Sequence, residues 1–154
     1  MKQNIKILRW NNIERLISKC LKKLPDTKFD FIVTIARGGL IPSVIISHKL
    51  GIRDILIIDI QRTLNDDINA FKISPLINVG HNFSKIKGKK ILLVDDIIGS
   101  GETLKTAIFF LEKYDPQKIE TVCLVFNKNN YKEGNPLPEY IGMTVNLWVV
   151  FPWE

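Results

Sequence analysis

Two adjacent carboxylates, Asp95 and Asp96, close the apolar run Ile91 to Val94 and lead into a short loop holding Gly99, Ser100, Gly101 and Thr103. Each residue type has a chemical use there. Glycines let the backbone approach an anion with no Cβ in the way, and they tolerate left-handed dihedrals. The N–H groups of Ser100, Gly101, Glu102 and Thr103 can converge on one phosphate at a helix N-terminus, and the Ser100 and Thr103 hydroxyls add donors. Carboxylates beside such a site repel the phosphate unless they receive sugar hydroxyls or the shell of a hard cation such as Mg²⁺. The pattern therefore predicts a sugar-phosphate site. A glycine turn capping a helix would give the loop alone the same look. The strand and acid pair ahead of it carry the functional reading. Neither the phosphate-loop pattern GxxxxGK[ST] nor the dinucleotide fingerprint GxGxxG is present.

A second candidate is Thr34 to Pro42, TIARGGLIP, where Arg37 brings charge and Gly38 and Gly39 free the backbone to turn inward. His48 and His81 have no partner spaced for metal binding and read as structural.

The elements that must hold these loops follow from the apolar pattern. Ile5 to Leu8 predicts a short edge strand. Asn11 is a plausible N-cap for a helix carrying Ile13, Leu16, Ile17, Cys20, Leu21 and Leu24 at helical spacing. Strands are expected at Phe31 to Ala36, Ile55 to Ile60, Ile91 to Val94, Ile119 to Phe126 and Val145 to Val150. Helices are expected at LIPSVIISHKL, stopping at Gly51, and at Glu102 to Tyr114. Strands alternating with helices imply an α/β fold with a mostly parallel sheet, and continuous apolar runs fit strands covered on both faces. Gln61 to Phe83 does not join this pattern and reads as a lid or small subdomain.

The bulk numbers agree. A chain of 154 residues with 45% hydrophobic and 25% charged residues suits one ordinary domain. The net charge of +6 comes from scattered lysines, the nearest run being Lys85, Lys87, Lys89 and Lys90. That scatter argues against a nucleic-acid partner, and an anionic small molecule accounts for the excess equally well. Cys20 and Cys123 lie far apart in apolar patterns and read as buried hydrophobes. With no signal peptide and no run near the ~20 apolar residues of a membrane span, the expected compartment is the cytoplasm, with no membrane partner.

On Leu92 to Ile98, Gly101 and Thr103, the chain resembles the type I phosphoribosyltransferases, whose signature is an apolar strand, two acids, two apolar residues and a D-T-G-x-T-like loop. The TIARGGLIP loop matches their pyrophosphate loop. Toward the C-terminus, VFNK ending in Lys128, and W-x-x-x-P-W-[DE] over Trp148 to Glu154, are similar to the short bacterial 6-oxopurine (xanthine–guanine) enzymes, as is Trp10 before a helix.

The resemblance implies the type I fold over residues 1–154: a mostly parallel sheet flanked by helices, a flexible lid at about 61–80 and a small hood at about 127–154. It implies 5-phosphoribosyl 1-diphosphate and a nucleobase as ligands, Mg²⁺ as cofactor, and a homodimer or homotetramer. Ile98, Gly99, Ser100, Gly101, Glu102 and Thr103 would bind the phosphate. Asp95 and Asp96 would serve the ribose and metal as the catalytic pair. Arg37 and Gly38 would hold pyrophosphate, across a cis peptide at Ala36–Arg37. Arg62 and Lys72 are further candidates to touch pyrophosphate. Lys128 would bind the purine O6, Trp148 would stack on the ring and the Val149 backbone would read its edge, while Trp153 reads as core. The loop departs from the 6-oxopurine pattern at Gly99, where those enzymes carry an aspartate facing N7 of the purine. An enzyme acting on another base, and a regulator that binds phosphoribosyl ligands or RNA on the same fold, therefore stand beside the 6-oxopurine reading.

Overall fold

In the computed structural model, which describes residues 4–63 and 72–154, the apolar runs become strands because both of their faces are covered. The order along the chain is β1 (Ile5–Ile7), α1 (Trp10–Leu21), β2 (Phe31–Ala36), α2 (Leu40–Leu50), β3 (Ile55–Thr63), β4 (Lys72–Val79), β5 (Lys90–Ile98), α3 (Glu102–Glu112), β6 (Lys118–Asn127), β7 (Tyr140–Val145) and β8 (Trp148–Val150). The main sheet has the order β4-β3-β2-β5-β6-β7. All its neighbours are parallel except β4, which runs antiparallel to β3. β1 and β8 form a separate parallel pair.

Side chains alternate across the sheet. Leu92 and Val94 of β5 pack with Ile13, Ile17 and Cys20 of α1 and Ile46 of α2. Ile91 and Leu93 point the other way, onto Leu104, Ala107 and Leu111 of α3 and onto Phe83. Full burial of one such side chain is worth roughly 1.5–3 kcal/mol, so this two-sided cover is what holds the sheet. Both cysteines are buried and unpaired. Burial pushes the Cys20 thiol up to about 11 and Cys123 well above its ordinary value, which fits their reading as small core residues. Among the described residues, no helix is long and apolar enough to cross a membrane.

Three expectations need correction. Helix α1 starts at Trp10 with Arg9 as its cap; the Arg9 N–H donates to Asn12 Oδ1 at 2.8 Å, so Asn12, and not Asn11, reaches back to close the first turn. The expected strand Val145 to Val150 is broken at Asn146 and Leu147. Their carbonyls accept from Asn129 Nδ2 (2.7 Å) and Asn127 Nδ2 (3.0 Å), and β7 already begins at Tyr140. Strand β5 continues past the acid pair to Ile98, because Asp95, Ile97 and Ile98 still pair with Cys123, Val125 and Phe126 of β6. At the expected lid, the flanks are the hairpin strands β3 and β4. Residues 64–71, and the side chains of Arg62 and Lys72, lie outside the described residues.

Candidate active site

From β2 the chain moves outward to β3 through α2, and from β5 it moves outward on the other side to β6 through α3. The strand order therefore reverses between β2 and β5, and in open α/β sheets ligands bind beyond the carboxyl ends of the strands at such a point. The last β2–β5 pair is Thr34 with Val94. Just beyond it, the loop Arg37–Gly39 meets Asp95 and Asp96.

That meeting is tight. A Cβ on Gly38 would overlap the Asp96 carboxylate. A Cβ on Gly39 would fall 2.6 Å from Ile35 O and 2.7 Å from Val94 O, backbone atoms that leave room there only for glycine. The Gly39 N–H donates to Ile35 O (2.9 Å) and the Leu40 N–H to Arg37 O (3.1 Å), which folds the loop back onto β2. The Ala36–Arg37 peptide is cis, as the resemblance implies, and Arg37 is exposed.

Asp95 and Asp96 are 7% and 8% exposed, unusual for carboxylates. Their described hydrogen bonds come from neighbouring backbone: the Asp96 N–H donates to Asp95 Oδ1 (2.9 Å) and the Ile97 N–H to Asp96 Oδ1 (2.7 Å). Among the described residues no cation pairs with either. Burial holds the Asp95 carboxyl well above the ordinary carboxylate range, and the Asp96 charge adds to this. Burial also pushes Asp96 up to about 6; the Ile97 N–H opposes the shift and the charge of nearby Glu154 reinforces it. Two adjacent buried carboxylates offer hard-oxygen donors of the kind Mg²⁺ or its water shell takes, so the residues present suit the metal the resemblance implies.

The loop expected to bind phosphate lies at the end of β5. Gly101 caps α3 with φ +83°, a left-handed conformation that favours glycine, and a Cβ there would come 2.9 Å from the Asn135 Cβ. The Glu102 N–H donates to Ser100 Oγ (3.3 Å) and the Lys105 N–H to Gly101 O (2.9 Å). Among the described residues the Thr103 N–H has no partner and stands in the first turn of α3, where an anion is favoured. Ile98 is buried beneath the loop; Gly99, Ser100, Glu102 and Thr103 are half-buried.

Of the residues expected to bind the base, Trp148 opens β8 and lines a cavity of about 240 Å³ together with Asn4, Asn127, Asn129, Asn130, Asn146 and Leu147. Val149 is buried within β8. Lys128 is exposed on the 3₁₀ turn after β6, between two lining residues and not itself part of the lining. The structure thus brings Trp148 to a pocket and leaves Lys128 on its outside. Trp153 stacks on Phe151 (4.8 Å between ring centres) and packs against the core, as expected.

A strap over residues 130–136, inside the hood expected at about 127–154, makes contacts to the loop that no residue of the strap announces in the sequence. Asn135 Nδ2 donates to Ser100 O (2.9 Å), the Lys132 N–H reaches the same oxygen (3.3 Å), and Lys132 Nζ pairs with Glu102 Oε1 at 2.6 Å. Tyr131 OH donates to Asn135 O (2.6 Å), closing the strap on itself. The only sequence signal was the cluster of asparagines and glycine in NKNNYKEGNP, which reads as an ordinary turn.

Comparison with known proteins shows the family. The family model for the phosphoribosyl transferase domain matches residues 3–154. The chain is 25% identical over 151 residues to the xanthine-guanine phosphoribosyltransferase of Idiomarina loihiensis, covering 94% of this chain and 84% of that one. A 72-residue stretch is 35% identical to human phosphoribosyltransferase domain-containing protein 1; it covers 46% of this chain and spans only 32% of that protein. The crystal structure of the purine phosphoribosyltransferase of Pyrococcus horikoshii superposes with a TM-score of 0.81 at 32% identity, over 97% of this chain and 94% of that one. The chain therefore belongs to the phosphoribosyltransferase family, a class of pentosyl-transferring enzymes.

Proposed function

We propose that the protein transfers the 5-phosphoribosyl group of 5-phosphoribosyl 1-diphosphate to a 6-oxopurine and releases pyrophosphate. The observation that carries this reading is the contact of Gly38 with Asp96 at the strand-order reversal, which sets a pyrophosphate loop directly against a buried acid pair. The purine enzymes named among its relatives support the choice of acceptor.

In the reaction, the bond from C1 of the ribose to the pyrophosphate oxygen breaks, a bond from C1 to a ring nitrogen of the base forms, and one proton leaves the base. Positive charge builds on the sugar as the leaving group departs. The chain's task is to position groups and stabilise that charge. The N–H groups and hydroxyls of Ser100, Gly101, Glu102 and Thr103, with Ile98 and Gly99 shaping the turn, hold the 5′-phosphate. Asp95 and Asp96 receive the ribose hydroxyls and offset the developing positive charge. Arg37 and the Gly38 backbone hold the pyrophosphate. Asp95 and Asp96 would hold Mg²⁺ or its water shell, and the ion, when bound, would neutralise charge on the leaving pyrophosphate. Trp148 stacks on the base beside Val149, and Lys128, from the rim, reaches the O6 acceptor.

The test is pyrophosphate release with 5-phosphoribosyl 1-diphosphate, Mg²⁺ and each nucleobase in turn. Turnover with guanine, xanthine or hypoxanthine is the expected result. Turnover only with another base moves the acceptor. Salt-sensitive RNA binding without turnover replaces the enzyme with a regulator.

A further inference from the structure

The loop position left bare by Gly99 is covered from outside the loop. The nearest atoms to a Cβ on Gly99 are the Asn130 Cβ at 3.3 Å and Asn130 Nδ2 at 3.7 Å. Asn130 comes from the turn after β6, thirty-one residues further along the chain. Its neighbours on that turn are committed to the backbone. Asn127 accepts from the Asn129 N–H (3.2 Å) and donates to Leu147 O (3.0 Å), and Asn129 donates to Asn146 O (2.7 Å). These bonds pin the turn from both sides. Among the described residues the Asn130 carboxamide has no hydrogen-bond partner, and it faces the cavity that Trp148 also lines.

Among the described residues, no charged side chain lines that cavity. Carboxamides both donate and accept without carrying charge, so the pocket suits a neutral planar ring bearing donors and acceptors on its edge. We infer that Asn130 recognises the polar edge of the base, through an uncommitted carboxamide that the turn after β6 holds beside Gly99 and on the cavity lined by Trp148. This inference rests on the transferase reading above. It makes Asn130 a specificity-determining residue and gives it no part in taking the proton, because a carboxamide does not ionise. The pinning by Asn127 and Asn129 fixes where that carboxamide sits, so the recognising group is positioned before the base arrives.

The experiment is steady-state kinetics with each active base for the wild type, Asn130→Leu and Asn130→Asp, with thermal melts to confirm folding. Asn130 is exposed, so both variants are expected to fold. Losing a neutral hydrogen bond to a bound ring is worth about tenfold, so Asn130→Leu is expected to raise the KM for base about tenfold while the KM for 5-phosphoribosyl 1-diphosphate stays put. Asn130→Asp keeps the acceptor and loses the donor. It is expected to change the ranking of bases and to add an ionisation to the pH profile of kcat/KM for the base. An unchanged base KM in Asn130→Leu, with the base ranking unchanged in Asn130→Asp, overturns the inference alone. A wild type that turns over no base overturns the transferase reading, and this inference with it.

Discussion

The carboxylate of Asp96 occupies the space in which a side chain on Gly38 would begin. The loop after β2 and strand β5 thus share one volume, and the contact is possible because one partner is glycine and the other a buried acid 8% exposed. The arrangement lets backbone from β2 and carboxylate from β5 address the same small ligand.

Gly38→Ala tests that contact. The added methyl must displace Asp96 or push back the loop, and overpacking of this kind costs typically about 1–3 kcal/mol. Thermal melts are expected to show a modest loss of stability. Transfer is expected to fall by at least about 10²-fold, because small misplacements at reacting groups cost that much. A variant with wild-type kcat/KM would show that the contact is incidental.

The acid pair also sets a pH dependence of the ligand-free protein. Asp96 ionises at about 6 when folded, above its value in the unfolded chain. Between the two values the folded state keeps a proton that the unfolded state has released. Stability from this group is therefore full below the unfolded pKa and is lost as pH rises through about 6. Urea unfolding from pH 4 to 8 is expected to show a downward slope over this range that flattens in Asp96→Asn. Equal slopes in the two proteins would contradict the burial of that charge.

Gly101→Ala probes the phosphate loop. A non-glycine residue in the left-handed region costs roughly 1–2 kcal/mol, and the methyl would also meet Asn135. The expected outcome is a rise in KM for 5-phosphoribosyl 1-diphosphate larger than any change in KM for the base. A variant whose two KM values move together would place the loop elsewhere in the reaction.

Gly99→Asp tests whether a loop carboxylate speeds purine transfer. General bases contribute typically about 10²–10⁴-fold, so a gain is expected if the proton is what limits the rate. The new Cβ lies 3.3 Å from the Asn130 Cβ, so the gain is expected to be larger with Asn130→Ala present than without it. Additive effects of the two substitutions on kcat would show that the residues do not compete for space.

Much of this architecture was legible in the residues. β2 and α2 match the expected Phe31 to Ala36 and Leu40 to Leu50, because the first is an uninterrupted apolar run and the second is stopped by Gly51 at φ +68°. The acid pair and Gly101 were visible because their chemistry is local. The sequence marks β5 only as far as Val94, since an aspartate pair looks like the end of a strand, and the pairing that carries it to Ile98 is with β6. The break at Asn146 and the cover of Gly99 by Asn130 both depend on side chains distant in the chain, and no local pattern carries that information. The same holds for Lys132 on Glu102, an ion pair that neither residue's surroundings announce.

The central claim is that Asp95, Asp96 and the loop after them bind an activated ribose phosphate. The most direct measurement is calorimetric titration of 5-phosphoribosyl 1-diphosphate with Mg²⁺ into the wild type and into Asp95→Asn/Asp96→Asn. Saturable binding by the wild type is expected, with binding and transfer both lost in a double variant that remains folded. No binding by the wild type, or undiminished binding and transfer in the double variant, would contradict the claim.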